Sequence, residues 1–383
     1  MTTPVPSSQL GLCGPVTIQS AEAWRVAVPM IEPFRISSGE VSAKDSVFLR
    51  MSNGDAFGWG ESSAMSGNFY STETPDSCQQ ELVSTVLPAL LGRTFATMLE
   101  LEANLNRLTS SRFVRIAVET AAWELIARSR NLSLRQLFGL PHHPVPSGLA
   151  IGLYPTLDEL HAAIQRYQAT DYSRLKIKIK RGQDIELVRA VRERLPDIGL
   201  YIDANADYTI DDLDLFRELD RYNLMMFEQP LARAAFDDSA RLQQAVRTPI
   251  CMDESIENLA DVQHAIALDA CRIVNMKLQR VGGFLEALRI METCLQHNIP
   301  VWMGTMPELG IGSAQALVLA SHPACRYPTD VEPSARWFTG DILSPEITLS
   351  EQHIELPSGP GLGYTVDHAA LARYQLHHWT FGA

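Results

Sequence analysis

From residue 175 to residue 277, short apolar runs alternate with stretches whose apolar residues return every three or four positions. The runs at 175–178, 199–203, 224–228, 249–253 and 272–277 read as strands. Between the first two, Ile185, Val188, Val191 and Leu195 share one helical face, and beyond the second Ile210, Leu213, Phe216 and Leu219 repeat the pattern. A strand of about five residues, a helix of about ten and two short loops come to roughly 25 residues. Strand and helix alternating at that period predict a parallel sheet with crossover helices, and residues 300–303 predict one strand more.

Each of the five runs closes on charge: Lys178, Asp203, Glu228, Asp253 and Lys277 follow one another at intervals of 25, 25, 25 and 24. Taken singly they have ordinary readings. Lys176, Lys178 and Lys180 alternating with Ile177 and Ile179 fit a solvated edge strand, and an acidic residue at a strand end commonly caps the next helix. Five charged strand ends in five consecutive units are hard to obtain from solvation alone. If the sheet closes into a barrel, its C-terminal strand ends converge on one mouth, where three carboxylates meet the lysines. Massed carboxylates repel one another, and a hard divalent cation held by oxygens relieves that repulsion.

The first 140 residues have a different texture. Residues 16–30 and 45–52 read as strands, Asn53-Gly54-Asp55 as a hairpin turn and 56–60 as the returning strand. Helices are expected at 75–91, opened by Pro75 and Asp76, and at 112–130, where Val114, Ala117, Val118, Ala121 and Leu125 form one stripe. Strands followed by helices make an α+β unit. The break falls at Pro141-His142-His143-Pro144-Val145-Pro146, where three prolines exclude a helix. The expected class is α/β: a barrel over residues 143–342 and an α+β capping domain over 1–142, onto which 343–383 packs back. Two loops, 31–40 and 61–74 with Met65, Phe69 and Tyr70, would cover a ligand if the cap lies over the mouth. Gly304, Gly310 and Gly312 precede a helix rich in Ala and Leu whose first N–H groups suit an anion such as a carboxylate. Gly359-Pro360-Gly361-Leu362-Gly363 is a turn, because no strand-to-helix unit surrounds it.

A length of 383 residues accommodates a barrel of about 250 plus a second domain. No apolar run approaches the roughly 20 residues of a membrane span, and residues 1–14 lack the basic start and apolar centre of a signal peptide, so a cytoplasmic protein is expected. A net charge of −13 with no basic stripe excludes a nucleic-acid partner. The six cysteines form no C-x-x-C pair and read as free thiols, while the histidines form no H-x-x-x-H, which leaves zinc without support.

Lys176-Ile177-Lys178, Asp203-Ala204-Asn205, Phe227-Glu228-Gln229-Pro230, Asp253-Glu254-Ser255, Lys277 and Val281-Gly282-Gly283 together resemble the ordered motifs of the enolase superfamily, muconate lactonizing enzyme subgroup. Within it the chain is most similar to the o-succinylbenzoate synthase and N-acylamino acid (N-succinylamino acid) racemase family, through Met65-Ser66-Gly67 with Tyr70-Ser71, Met306 with Glu308-Leu309-Gly310, and Asp330 to Phe338. The resemblance implies a modified (β/α)8, TIM-like (β/α)7β barrel under a capping domain. It further implies Mg²⁺, with Mn²⁺ as the alternative, held by Asp203, Glu228 and Asp253. Lys178 and Lys277 would face each other across a small carboxylate substrate, with Lys176 beside them and Asn205, Glu254 and Arg280 behind. Met65, Phe69, Tyr70, Met306 and Glu308 would contact the substrate, and a homo-oligomer is expected. Two departures stand out: Ala150 where relatives often carry serine, and Met303-Gly304-Thr305 in place of the usual Cys-Gly-Gly.

The chemistry asks for these residue types. Removing a proton beside a carboxylate builds a second negative charge, an enediolate that a cation stabilises. The base must be neutral to act, and the charge of Lys176 two residues away should lower the pKa of Lys178. In a synthase, Lys178 takes the proton and then assists departure of hydroxide while Lys277 stabilises the enediolate; in a racemase, each lysine serves one face. Arg280 occupies a position at which racemase-capable members of the family carry arginine. Muconate cycloisomerase, or another cycloisomerase or epimerase of the subgroup, is the alternative reaction. An inactive metal-binding relative is the non-enzymatic one, against which intact Lys178 and Lys277 argue.

Overall fold

A computed structural model describes residues 4–36, 39–67 and 71–382. Three antiparallel strands, β1 (Ser20–Ile36), β2 (Gly39–Ser52) and β3 (Phe57–Ser62), form a meander. The Asn53 side chain accepts from the N–H groups of Asp55 and Ala56 to close the second hairpin. The first strand runs further than its apolar pattern suggested: residues 31–36, expected as a loop, continue β1, and Phe34 pairs with Val41. The expected helix at 75–91 is divided into Pro75–Glu81, a π turn at Leu82–Val86 and Leu87–Leu90. Pro88, which has no N–H and whose ring crowds the preceding turn, accounts for the irregular winding before it.

Helix α1 (Arg112–Ser129) lies across the sheet, and two glycines let β3 approach it: a Cβ on Gly58 would stand 2.1 Å from the Ala121 carbonyl oxygen, and one on Gly60 would stand 1.8 Å from that of Ala117. Backbone cannot yield as a side chain can, so Gly60→Ala is expected to cost about 1–3 kcal/mol of stability, read as a shifted urea midpoint at unchanged slope.

Seven parallel strands follow: β4 (Leu149–Ile151), β5 (Leu175–Lys178), β6 (Leu200–Asp203), β7 (Phe227–Glu228), β8 (Ile250–Met252), β9 (Ile273–Met276) and β10 (Val301–Met303), each paired with the next. The eighth place is filled by an irregular segment that bridges both edges, Cys325 to Val301 and Thr329 to Ser147, with N–H···O bonds of 2.8 Å from Val301 to Ala324 and 2.9 Å from Gly148 to Thr329. Several strands are shorter than their apolar runs; residues 224–228 contribute only Phe227 and Glu228 to the ladder. The last strand, β11 (Gln375–Phe381), returns to pair with β1, so the chain's end completes the first sheet, an assignment no local pattern had suggested.

Alternation along the barrel strands decides what faces inward. Tyr201, Met226, Cys251, Ile273 and Trp302 pack together as an interior plug, while Leu200, Ile202, Phe227, Ile250, Met252, Val274 and Met276 belong to the larger outer core. Two residues beyond the plug on the same face come Asp203, Glu228, Asp253 and Asn275. The six cysteines are free, and among the described residues no helix is long and apolar enough to cross a membrane.

Candidate active site

The strand register sets the charged ends side by side: Lys178 opposite Asp203, and Asp203 opposite Glu228. The Lys178 ammonium donates to Asp203 Oδ2 at 2.8 Å and to Asn205 Oδ1 at 2.6 Å. Asn205 in turn donates to Glu254 Oε1 at 3.1 Å. Lys277 donates to Asp253 Oδ2 at 2.8 Å, and the Arg280 guanidinium takes the other oxygen of the same carboxylate. Arg280 is buried rather than on the surface; it also donates to the carbonyls of Ile256 at 2.7 Å and Asn275 at 2.9 Å. Burial would raise the Asp253 carboxyl, but Arg280 and Lys277 together hold it well below the usual carboxylate range.

Glu228 is the crowded member. It is fully buried, its Oε1 accepts from Asn275 Nδ2 at 2.8 Å, and its Oε2 has no hydrogen bond, the Lys176 ammonium standing 3.5 Å away. Burial and the neighbouring Asp203 push its carboxyl well above the ordinary value. Burial and Asp253 do the same to Glu254, to about 7. Lys176 is itself engaged by Asp330, which lies on the irregular eighth segment. Burial favours its neutral form, but Asp330 and Glu228 outweigh that and hold the ammonium charged. Arg174 pairs with the same Asp330, whose carboxyl sits at about 2: burial would raise it, and Lys176 and Arg174 overcome that.

Among the described residues, no three acidic, histidine or cysteine side chains already converge as metal ligands. Asp203 and Asp253 each turn an oxygen onto a lysine. The donor set nevertheless suits a hard divalent cation: three carboxylates end adjacent strands, and one buried oxygen of the middle one lacks a hydrogen bond, which is costly in a protein interior.

A cavity opens over these groups. Its walls include Lys176, Lys178, Lys277, Asp203 and Asn205 from the barrel, Thr305, Met306 and Pro307 from the loop after β10, and Met65 and Phe34 from the cap. Ala150, Ile151, Asp330 and Trp337 complete it. The structure thus brings Met65 and Met306 to the lysines. It does not bring Glu308 there: that carboxylate is buried, accepts from the Met306 N–H at 3.0 Å and is raised to about 7 by burial. Phe69 and Tyr70 lie outside the described residues. Phe34, Asp330 and Trp337 were not singled out from sequence as site residues, although Asp330 and Trp337 stand within the motif 330–338.

The anion expected at the glycine-rich helix start proves to be internal. Helix Gly310–Ala320 begins on Glu61 of the cap, whose carboxylate accepts from the N–H groups of Leu309 at 3.0 Å and Gly312 at 2.8 Å. Asn205 at φ 43°, two residues after Asp203, and Gln229 at φ 36°, next to Glu228, are non-glycine residues in the left-handed region. Gln229 offsets this by binding the N–H groups of Asp253 at 2.9 Å and Ser255 at 3.1 Å, which locks the start of the next loop.

Residues 20–139 match the family described as mandelate racemase / muconate lactonizing enzyme, N-terminal domain, and residues 159–370 match the enolase C-terminal domain-like family. The chain is 37% identical over 360 residues to o-succinylbenzoate synthase of Bacillus subtilis, covering 94% of this chain and 97% of the relative. It is 38% identical over 347 residues to N-succinylamino acid racemase of Amycolatopsis, covering 90% and 94%. A solved enolase-superfamily member from Listeria innocua superposes with a TM-score of 0.90 at 33% identity, covering 96% of this chain and 99% of that one. With both domains matched and nearly the whole length aligned, the chain belongs to the enolase superfamily, in its mandelate racemase and muconate lactonizing enzyme branch.

Proposed function

We propose that the protein is a divalent-metal-dependent enzyme that removes the proton from a carbon beside a carboxylate, acting as an o-succinylbenzoate synthase, an N-succinylamino acid racemase or both. One observation supports the reading: Lys178 and Lys277 line a single cavity from the ends of β5 and β9, four places apart around an eight-place ring, a placement that suits approach to a planar intermediate from opposite faces.

Mg²⁺ bound by Asp203, Glu228 and Asp253 would supply Lewis-acid stabilisation of the charge that builds on the substrate carboxylate. The chain's own groups do the rest. Asp203 and Asn205 aim the Lys178 nitrogen, which takes the proton on its face. In the dehydration the same ammonium returns that proton to the departing hydroxide, while the Lys277 ammonium offsets the negative charge. In racemisation Lys277 delivers a proton to the opposite face, and the pair exchange roles in the reverse direction. Lys176, held charged by Asp330, adds a fixed positive charge beside the carboxylates. Arg280 shares Asp253 with Lys277 and thereby bears on how firmly that lysine is held. Met65, Phe34 and Trp337 give the cavity apolar walls, which would limit water around a bound substrate.

The test offers purified protein with Mg²⁺ in D₂O both the hydroxylated cyclohexadiene carboxylate precursor of o-succinylbenzoate and an N-succinylamino acid. Aromatisation of the first, or deuterium at the α-carbon of the second with loss of optical purity, is expected. The absence of both turnover and exchange, with both compounds, would overturn the reading.

A further inference from the structure

The turn that follows Lys277 is anchored from outside the barrel. Gln279, two residues on, is buried at 1% exposure. Its Nε2 donates to the Glu61 carbonyl at 2.9 Å, and its Oε1 accepts the Ser63 N–H at 3.0 Å. Both ends of the amide thus pair with one strand end, as the backbone of a neighbouring strand would. From Ser63 the chain runs through Ala64 directly to Met65, a wall of the cavity. That strand end is itself fixed, because the Glu61 carboxylate is committed to the helix start at Leu309 and Gly312.

The other end of the connection is equally stiff. Lys277 is the residue before the single helical turn Leu278–Val281, whose Arg280 N–H returns to the Lys277 carbonyl at 3.0 Å. A shift of Gln279 therefore shifts the backbone that carries Lys277. The segment covering the substrate and the lysine serving one face are joined through one side chain, whereas Lys178 sits four strands away with its own orienting partners, Asp203 and Asn205.

We propose that Gln279 is a positioning residue that registers Lys277 against the capping segment carrying Met65. The inference rests on the proposed role of Lys277 as the base for one face. It predicts an asymmetric defect, since small misplacements of a reacting group are costly while the distant lysine keeps its geometry. A purely structural role would lower the folded fraction and scale both faces alike.

The experiment measures α-proton exchange in D₂O by NMR for each enantiomer of an N-succinylamino acid, with Mg²⁺, in wild type, Gln279→Met and Gln279→Asn. Lys277→Ala identifies the enantiomer that lysine serves. Exchange of that enantiomer is expected to fall roughly 10–100-fold relative to the other in Gln279→Met. The shorter amide of Gln279→Asn cannot span both partners and should fall in the same direction. Equal losses on both enantiomers, or insolubility of both variants, would overturn the proposal in favour of a structural role. If wild type exchanges neither enantiomer, the functional reading fails on its own account. Amide hydrogen exchange then decides the coupling: protection lost together in residues 61–67 and 278–282 of Gln279→Met supports it, and unchanged protection in 278–282 overturns it.

Discussion

Single removal of either catalytic lysine should separate the two faces of the reaction. Lys178→Ala and Lys277→Ala are each expected to lower racemisation of an N-succinylamino acid by about 10²–10⁴-fold, the usual contribution of a positioned acid or base. Each variant should still exchange the α-proton of one enantiomer, and the two variants should retain opposite enantiomers. The dehydration is not symmetric: Lys178→Ala removes the group that takes the proton and assists the leaving hydroxide, while Lys277→Ala removes a charge that stabilises the intermediate. Both should damage it, the first more. The ground is the placement of both nitrogens on one cavity from the second and sixth of eight places around the barrel. Proton NMR of each enantiomer in D₂O reads the result. Wild-type racemisation by either variant, or retention of the same enantiomer by both, would refute the two-base assignment.

The second large effect concerns Glu228. Replacing it by glutamine keeps an oxygen for the 2.8 Å bond from Asn275 but removes one of the negative charges crowded with Asp203 and Asp253. Mg²⁺ affinity and activity should fall together by at least about 100-fold, more than the loss usual for a group behind the ligands. Stability without metal should hold or rise, because a buried carboxyl crowded by other carboxylates is itself destabilising. Thermal melting with and without Mg²⁺ separates the effects: wild type should be stabilised by the cation and Glu228→Gln should not. Equal Mg²⁺ stabilisation of the two proteins, or full wild-type activity after chelation, would contradict the assignment.

Local pattern carries different parts of this molecule unequally. The period of 25 residues is a covalent property of the chain, and alternation along a strand follows from the pleat, so the parallel sheet and the inward set Lys178, Asp203, Glu228 and Asp253 were open to reading from spacing alone. The same holds for the hairpin at Asn53-Gly54-Asp55, where a short side chain bonds its own backbone. Strand ends were less legible: residues 31–36 were expected in a loop, yet pairing with β2 holds them in β1, an interaction no local pattern encodes.

The amino-acid sequence by itself therefore determined the repeating units, the charges at their ends and the resemblance those motifs carry. Tertiary structure decided which partner each charge meets. Asp330 reaches Lys176 across 154 positions, Glu61 reaches the N–H of Gly312 across 251, and Gln279 reaches Ser63 across 216. It also set the buried Glu308 carboxylate on the Met306 N–H and added the chain's last strand to the edge of the first sheet. The physical reason is one of range: periodicity and turn chemistry act over a few residues, whereas a buried polar atom must find a partner wherever the fold brings one within about 3 Å.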